Sequence, residues 1–204
     1  MICLGCSRLE HRLLCGGCEA RLRPAPDRLV GEGVLAAAAF SHEGVARPLI
    51  HALKYRGVVG VAAVVAAMLA PRLPLGVPLV PLPRAVSRKI RYGIDPATEM
   101  ASSLGAITGS HVANLLVPPL HSGRRAGRGE AAPPRFRLRS TPTHPVVLVD
   151  DVVTTGSTIA AAASVIGNAN VVMAMTATSS PHAVTSLWAR TNSMAEGSEH
   201  SIDS

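Results

Sequence analysis

Apolar residues along this chain fall into short runs punctuated by proline, glycine and polar clusters, and the runs alternate between strand and helix character. Val34 to Phe40 is continuously apolar and of strand length. From Val45 to Leu53 the apolar spacing predicts a helix, ending in the loop Lys54-Tyr55-Arg56-Gly57, where glycine can stop it. Val58 to Leu73 predicts a second helix. Pro74 and Gly76 break that pattern, and Val77 to Val80 is a short strand that runs into a proline-stiffened loop, Pro81-Leu82-Pro83-Arg84. Asp95-Pro96 starts a third helix, with aspartate as cap and proline at the first helical position, reaching about Ile107. His111 to Val117 reads as a strand, Val146 to Val149 as a clear one, Ser157 to Ile166 as an Ala-rich helix and Val171 to Ala177 as a last strand.

Strands alternating with helices predict an α/β fold, a mostly parallel sheet flanked by helices. The expected organisation is a small N-terminal module over residues 1–26, a main domain over 30–178 and a polar, disordered tail over 179–204. Pro24-Ala25-Pro26 serves as the linker between module and domain. Residues 118–145 are rich in Pro, Gly and Arg, lack periodicity and exceed an ordinary connection, which marks a functional or disordered loop.

Composition narrows the partners. Five aromatic residues in the whole chain leave the core to Val, Ala and Leu and leave little surface for stacking bases. The net charge of +7 comes almost wholly from arginine, Lys54 and Lys89 being the only lysines. A solvated basic loop and an anion-binding role for the arginines between Arg124 and Arg139 are both open, with pyrophosphate or a nucleic-acid backbone as the anions. The longest apolar run, Val58 to Ala70, falls short of the roughly 20 residues of a membrane-spanning helix, so no membrane insertion is expected. Leu4-Gly5-Cys6 has the form of a lipoprotein signal end, but no basic or apolar stretch precedes it, and a cytoplasmic location is expected.

All four cysteines stand in the first 18 residues, as Cys3-x-x-Cys6 and Cys15-x-x-Cys18. Each C-x-x-C turns two thiolates towards one metal, and two such turns complete a tetrahedral site, with Zn²⁺ as the default occupant. An iron–sulfur cluster also suits four thiolates; disulfides or a redox pair suit a cytoplasmic chain less well. Four protein ligands leave no open position, so the expected role is structural.

Residues 146–158, Val-Val-Leu-Val-Asp-Asp-Val-Val-Thr-Thr-Gly-Ser-Thr, carry the sharpest chemistry. A strand delivers Asp150 and Asp151 to a sheet edge, where paired carboxylates can accept hydrogen bonds from a vicinal diol or help order a hydrated Mg²⁺. Thr154, Thr155, Gly156, Ser157 and Thr158 then offer hydroxyls and backbone N–H groups at a helix start, a cradle for phosphate. Diol acceptors beside a phosphate cradle match the two ends of a ribose 5-phosphate. A generic strand-turn-helix does not require two adjacent acids, and an ATPase strand would need a G-x-x-x-x-G-K-[ST] loop that the chain lacks.

This segment resembles the loop with which type I phosphoribosyltransferases bind 5-phosphoribosyl 1-pyrophosphate (PRPP). Together with the four-cysteine N-terminus, Lys54-Tyr55-Arg56-Gly57 and Val80-Pro81-Leu82-Pro83, it is similar to the ComF-type (competence protein F, amidophosphoribosyltransferase-like) family over roughly residues 1–178. The resemblance implies that Asp150 and Asp151 hold the ribose hydroxyls, that Thr154 to Thr158 hold the 5-phosphate, and that Pro81, Leu82, Pro83 and Arg84 form a pyrophosphate loop. It also implies a mobile loop over about 118–139 that closes on the reacting centre, with Arg124, Arg125 and Arg128 steadying departing pyrophosphate alongside Mg²⁺. Two departures stand out: Arg91-Tyr92-Gly93-Ile94-Asp95 where the family reads Arg-Gly-Phe-Asn-Gln, and no Gln or Asn in the arginine-rich loop.

Two classes of function follow. One is a pentosyl transferase that releases pyrophosphate from PRPP to a nitrogenous acceptor. The other is a non-catalytic protein that senses PRPP or a nucleotide, or associates with single-stranded DNA or the DNA-uptake machinery.

Overall fold

The computed structural model describes residues 1–120 and 134–180. Its main sheet has five strands: β1 (Arg28–Val30), β2 (Val34–Ser41), β3 (Leu79–Pro81), β6 (Val146–Val153) and β7 (Val171–Ser179), in the order β1-β2-β7-β6-β3. All neighbours pair in parallel except β1, which folds back antiparallel on β2. The fold is therefore the mixed α/β arrangement the patterning implies.

Two apolar layers cover the sheet. On one face lie α2 (Ala46–Arg56), α3 (Gly60–Leu69) and α5 (Pro96–Thr108), packed through Leu49, Leu53, Val65 and Met100 against Val147, Val149 and Met175. The other face carries α6 (Ser157–Ile166) and a small antiparallel ribbon of β4 (Leu116–Val117) and β5 (Arg137–Leu138), packed against Val80, Val146, Leu148 and Ala174. Val147 and Leu148 thus face opposite layers, the period-2 alternation of a strand buried on both sides, and this is why its sequence reads as a continuous apolar run.

Several expected elements differ in extent. The helix expected to end at Leu53 runs through Arg56, so Lys54 and Tyr55 sit in its last turn, and Gly57 stops it in the left-handed conformation (φ 65°). The helix expected to reach Leu73 ends at Leu69, where Pro71 tightens the chain into a 3₁₀ turn. The expected strand 111–117 is broken: Val112 only bridges Leu79, and pairing resumes at Leu116 with the ribbon. α4 (Val86–Tyr92) had no apolar periodicity to announce it; it has no fully buried residue and leaves Ile90 80% exposed.

The cysteine segment, with its single-turn α1 (Gly16–Glu19), docks on the α2 side of the sheet. Cys3, Leu14 and Cys18 join the same core as Val45 and Leu49, so the segment shares the main core and is not a detached bead. No helix among the described residues is long and apolar enough to cross a membrane.

Candidate functional site

In an open parallel sheet, ligands lie beyond the carboxyl ends of the strands, where neighbouring strands send their chains to opposite faces. β3 and β6 are such neighbours: β3 leads towards α4 and α5 on one face, β6 towards α6 on the other. The loops that leave them are Pro81 to Arg84 and Thr154 to Ser157, two of the segments singled out by sequence. Because β3 and β6 are parallel neighbours, both loops leave the same edge of the sheet, where a crevice between them is the candidate site.

β6 outlasts its expected end at Val149 and carries Asp150 and Asp151 as strand residues, Asp150 opposite Thr176 of β7. Asp150 Oδ1 accepts a hydrogen bond from the Asp151 N–H at 2.8 Å. Burial pushes the Asp150 carboxyl up to about 7, and the neighbouring Asp151 charge adds to the shift. One acid of the pair therefore holds its proton well above the ordinary carboxylate range.

The loop after β6 is shaped for close approach. Gly156 has φ 81°, and a Cβ there would lie 2.5 Å from Val30 Cγ1, so β1 presses directly on the turn. Only glycine satisfies both constraints. Thr155 Oγ1 donates to Ser157 Oγ at 3.1 Å and accepts from the Ser157 N–H at 3.4 Å. Among the described residues, the N–H groups of Thr154, Thr155, Gly156 and Thr158 have no acceptor, and Thr154, Thr155 and Ser157 are exposed. Free amides at the start of a ten-residue helix favour an anion.

Lys54, for which the sequence admits a helix-end role or a ligand role, enters the site from the last turn of α2. Its Nζ lies 2.9 Å from Asp151 Oδ1, with both side chains less than a fifth exposed. Behind it stands Arg84. Its NH1 donates to the Lys54 carbonyl at 2.9 Å and to the Ile94 carbonyl at 3.4 Å, and its guanidinium lies 5.8 and 5.2 Å from the ring centres of Tyr55 and Tyr92. Part of the Arg84 side chain is thus committed within the protein rather than facing the crevice.

Asp95 precedes α5 as expected but makes no side-chain cap. Its Oδ2 accepts from the Arg84 backbone N–H at 2.9 Å, while Oδ1 is buried without a partner. Burial raises its pKa. His42, just past β2, meets Thr178 Oγ1 at 2.9 Å; burial lowers its pKa, with Lys54 and Arg47 contributing.

The base of the expected mobile loop is described, its middle is not. Leu116–Val117 and Arg137–Leu138 hold the two ends side by side, and Pro119 and Leu120 carbonyls accept from the N–H groups of Val86 and Ser87 at the start of α4. Arg124, Arg125 and Arg128 lie outside the described residues. Arg135, Arg137 and Arg139 are described and exposed.

At the far end of α2, the sulfurs of Cys3, Cys6, Cys15 and Cys18 all lie within 4.8 Å of one another, the reach and donor set of a single metal ion. The Cys15 N–H points at Cys3 Sγ (3.3 Å), and this bond is the largest influence holding the Cys3 thiol below its ordinary pKa. Arg21 donates to Cys18 Sγ at 3.1 Å. Each donor favours the thiolate it touches, but burial and the three neighbouring sulfurs outweigh Arg21 and push the Cys18 thiol up to about 11.

Comparison with curated proteins gives no match. The family described as phosphoribosyl transferase domain matches residues 36–185. That span takes in both loops of the crevice, the Asp150–Asp151 pair and every strand of the main sheet but β1, and the chain belongs to the phosphoribosyl transferase domain family.

Proposed function

We propose that this protein binds PRPP, or a nucleotide carrying ribose 5-phosphate, in the crevice between the β3 and β6 loops, and transfers phosphoribose to a nitrogenous acceptor. Family membership gives the chemistry, and one observation carries its placement: paired carboxylates directly precede a turn of free amides, opposite the Pro81–Arg84 loop. Asp150 and Asp151 accept from the ribose hydroxyls. Thr154, Thr155, Gly156, Ser157 and Thr158 hold the 5-phosphate, and Pro81, Leu82, Pro83 and Arg84 present the pyrophosphate loop.

In the transfer, the acceptor nitrogen bonds to C1 of the ribose as the C1–oxygen bond breaks, and pyrophosphate leaves with the electron pair. When bound, Mg²⁺ would offset the negative charge on the leaving pyrophosphate. Arg124, Arg125 and Arg128 would add cations that steady the departing pyrophosphate. The four cysteines hold a structural Zn²⁺. With its cysteine pairs and Lys54-Tyr55-Arg56-Gly57, the chain fits a ComF-type member acting in the cytoplasm, in DNA uptake or processing.

Calorimetric titration with PRPP in millimolar Mg²⁺, followed by assay of pyrophosphate release with a pool of bases, tests the reading. Binding and release should both vanish when Asp150→Asn and Asp151→Asn are combined. Binding without release would favour a PRPP or nucleotide sensor. Salt-sensitive binding of single-stranded DNA that survives the double change would favour the DNA-associated reading; no PRPP binding at all would overturn the proposal.

A further inference from the structure

Among the described residues, Lys54 touches both the acid pair and the Pro81–Arg84 loop. Its ammonium sits on Asp151, on the sugar side; its carbonyl is held by Arg84, on the pyrophosphate side. We infer that Lys54 is a positioning residue that neutralises and orients Asp151 before any ligand arrives and keeps the acid pair in register with the Pro81–Arg84 loop. This inference rests on the phosphoribose reading of the site.

The geometry supports it at each step. The Lys54 carbonyl is among the last of α2, which have no helical acceptor role left to fill, and a cation at this negative helix end is favourable. Arg84 supplies that cation while wedged near Tyr55 and Tyr92, whose rings meet edge to face at 5.0 Å. Asp95 fixes the Arg84 backbone from the start of α5. A single hydrogen bond from Arg84, itself held by Asp95 and packed near two tyrosines, thus anchors the lysine backbone and limits where its ammonium can reach. With Asp151 Oδ1 taken by Lys54, Oδ2 is left to face a hydroxyl.

Among the described residues, the charged groups around the acid pair are Lys54 from α2, Asp95 at the start of α5 and His42 beyond β2. Lys54 is the cation in direct contact with it. Without it, two carboxylates and Asp95 would repel one another, the pair would hold protons more tightly, and fewer acceptor lone pairs would remain for a diol.

Two measurements on the full chain test this. Carboxylate titration by carbon-13 NMR should show the Asp150–Asp151 pair shifted upward in Lys54→Met and restored in Lys54→Arg; an unmoved titration overturns the inference. Calorimetry with ribose 5-phosphate should show binding weakened about tenfold or more in Lys54→Met, the loss of one charge-assisted contact, with inorganic phosphate bound as before. Equal weakening for both ligands would make Lys54 a general attractor of anions and overturn the positioning role. If the unaltered protein binds neither ligand, the phosphoribose reading fails, and the NMR titration still decides whether Lys54 is the counterion of the pair.

Discussion

Replacing Gly156 with alanine probes the turn on which the proposed phosphate cradle depends. A residue with a Cβ in the left-handed region costs about 1–2 kcal/mol. The added methyl would also stand 2.5 Å from Val30 Cγ1 and 2.6 Å from Val30 Cβ, and the latter cannot swing away because it is fixed to the β1 backbone. Overpacking of this kind costs about 1–3 kcal/mol, so the two effects together destabilise the fold by about 2–5 kcal/mol. For a chain of this length that corresponds to a fall in Tm of about 4–20 °C. Urea unfolding of Gly156→Ala, Val30→Gly and the pair of changes together forms a double-mutant cycle. Removing the Val30 side chain should recover the steric part of the loss and leave the backbone part. A loss below about 1 kcal/mol for Gly156→Ala, or strictly additive effects, would refute the account of β1 pressing on the turn.

Two further predictions concern protons and metal. Asp150 has a raised pKa in the folded chain, about 7, against about 3.9 when unfolded. The folded state therefore keeps a proton that the unfolded chain has released, and this stability is full below about pH 4 and lost as pH rises through about 7. The effect has a ceiling of about 4 kcal/mol, and Asp150→Asn should flatten the pH profile of Tm over that window; parallel profiles would refute it. As for the cysteines, metal analysis should give one Zn²⁺ per chain, and chelation should lower the Tm of the whole domain, because Cys3 and Cys18 sit in its core. Less than one zinc per chain, or a chelator without effect on Tm, would count against this.

What the sequence made legible were features written in contiguous residues. Val146 to Val149 announced itself by an unbroken apolar run, and Gly156 by its place between threonines and a helix. The C-x-x-C pairs foretold a cluster because the turn that joins each pair is local. Elements held by tertiary contact were not legible. β1 is three residues long and exists because Arg28–Val30 finds an edge of β2; α4 lacks an apolar stripe; and the strand expected over 111–117 meets β3 only at a single bridge, centred on Val112 and Leu79. The same limit applied to the site. Nothing local to Lys54 indicates that Asp151, ninety-seven positions later, is its partner, and nothing local to Asp95 shows that it forgoes capping α5 to hold Arg84.

The family match begins at Ala36, downstream of β1, yet Val30 of β1 is the wall against which the phosphate turn is pressed. A chain trimmed to its recognisable portion would keep every residue expected to touch the ligand and lose the surface that shapes their amides. The proposed site is thus wider than its signature: a larger or smaller side chain at residue 30 would act on a turn more than a hundred residues away.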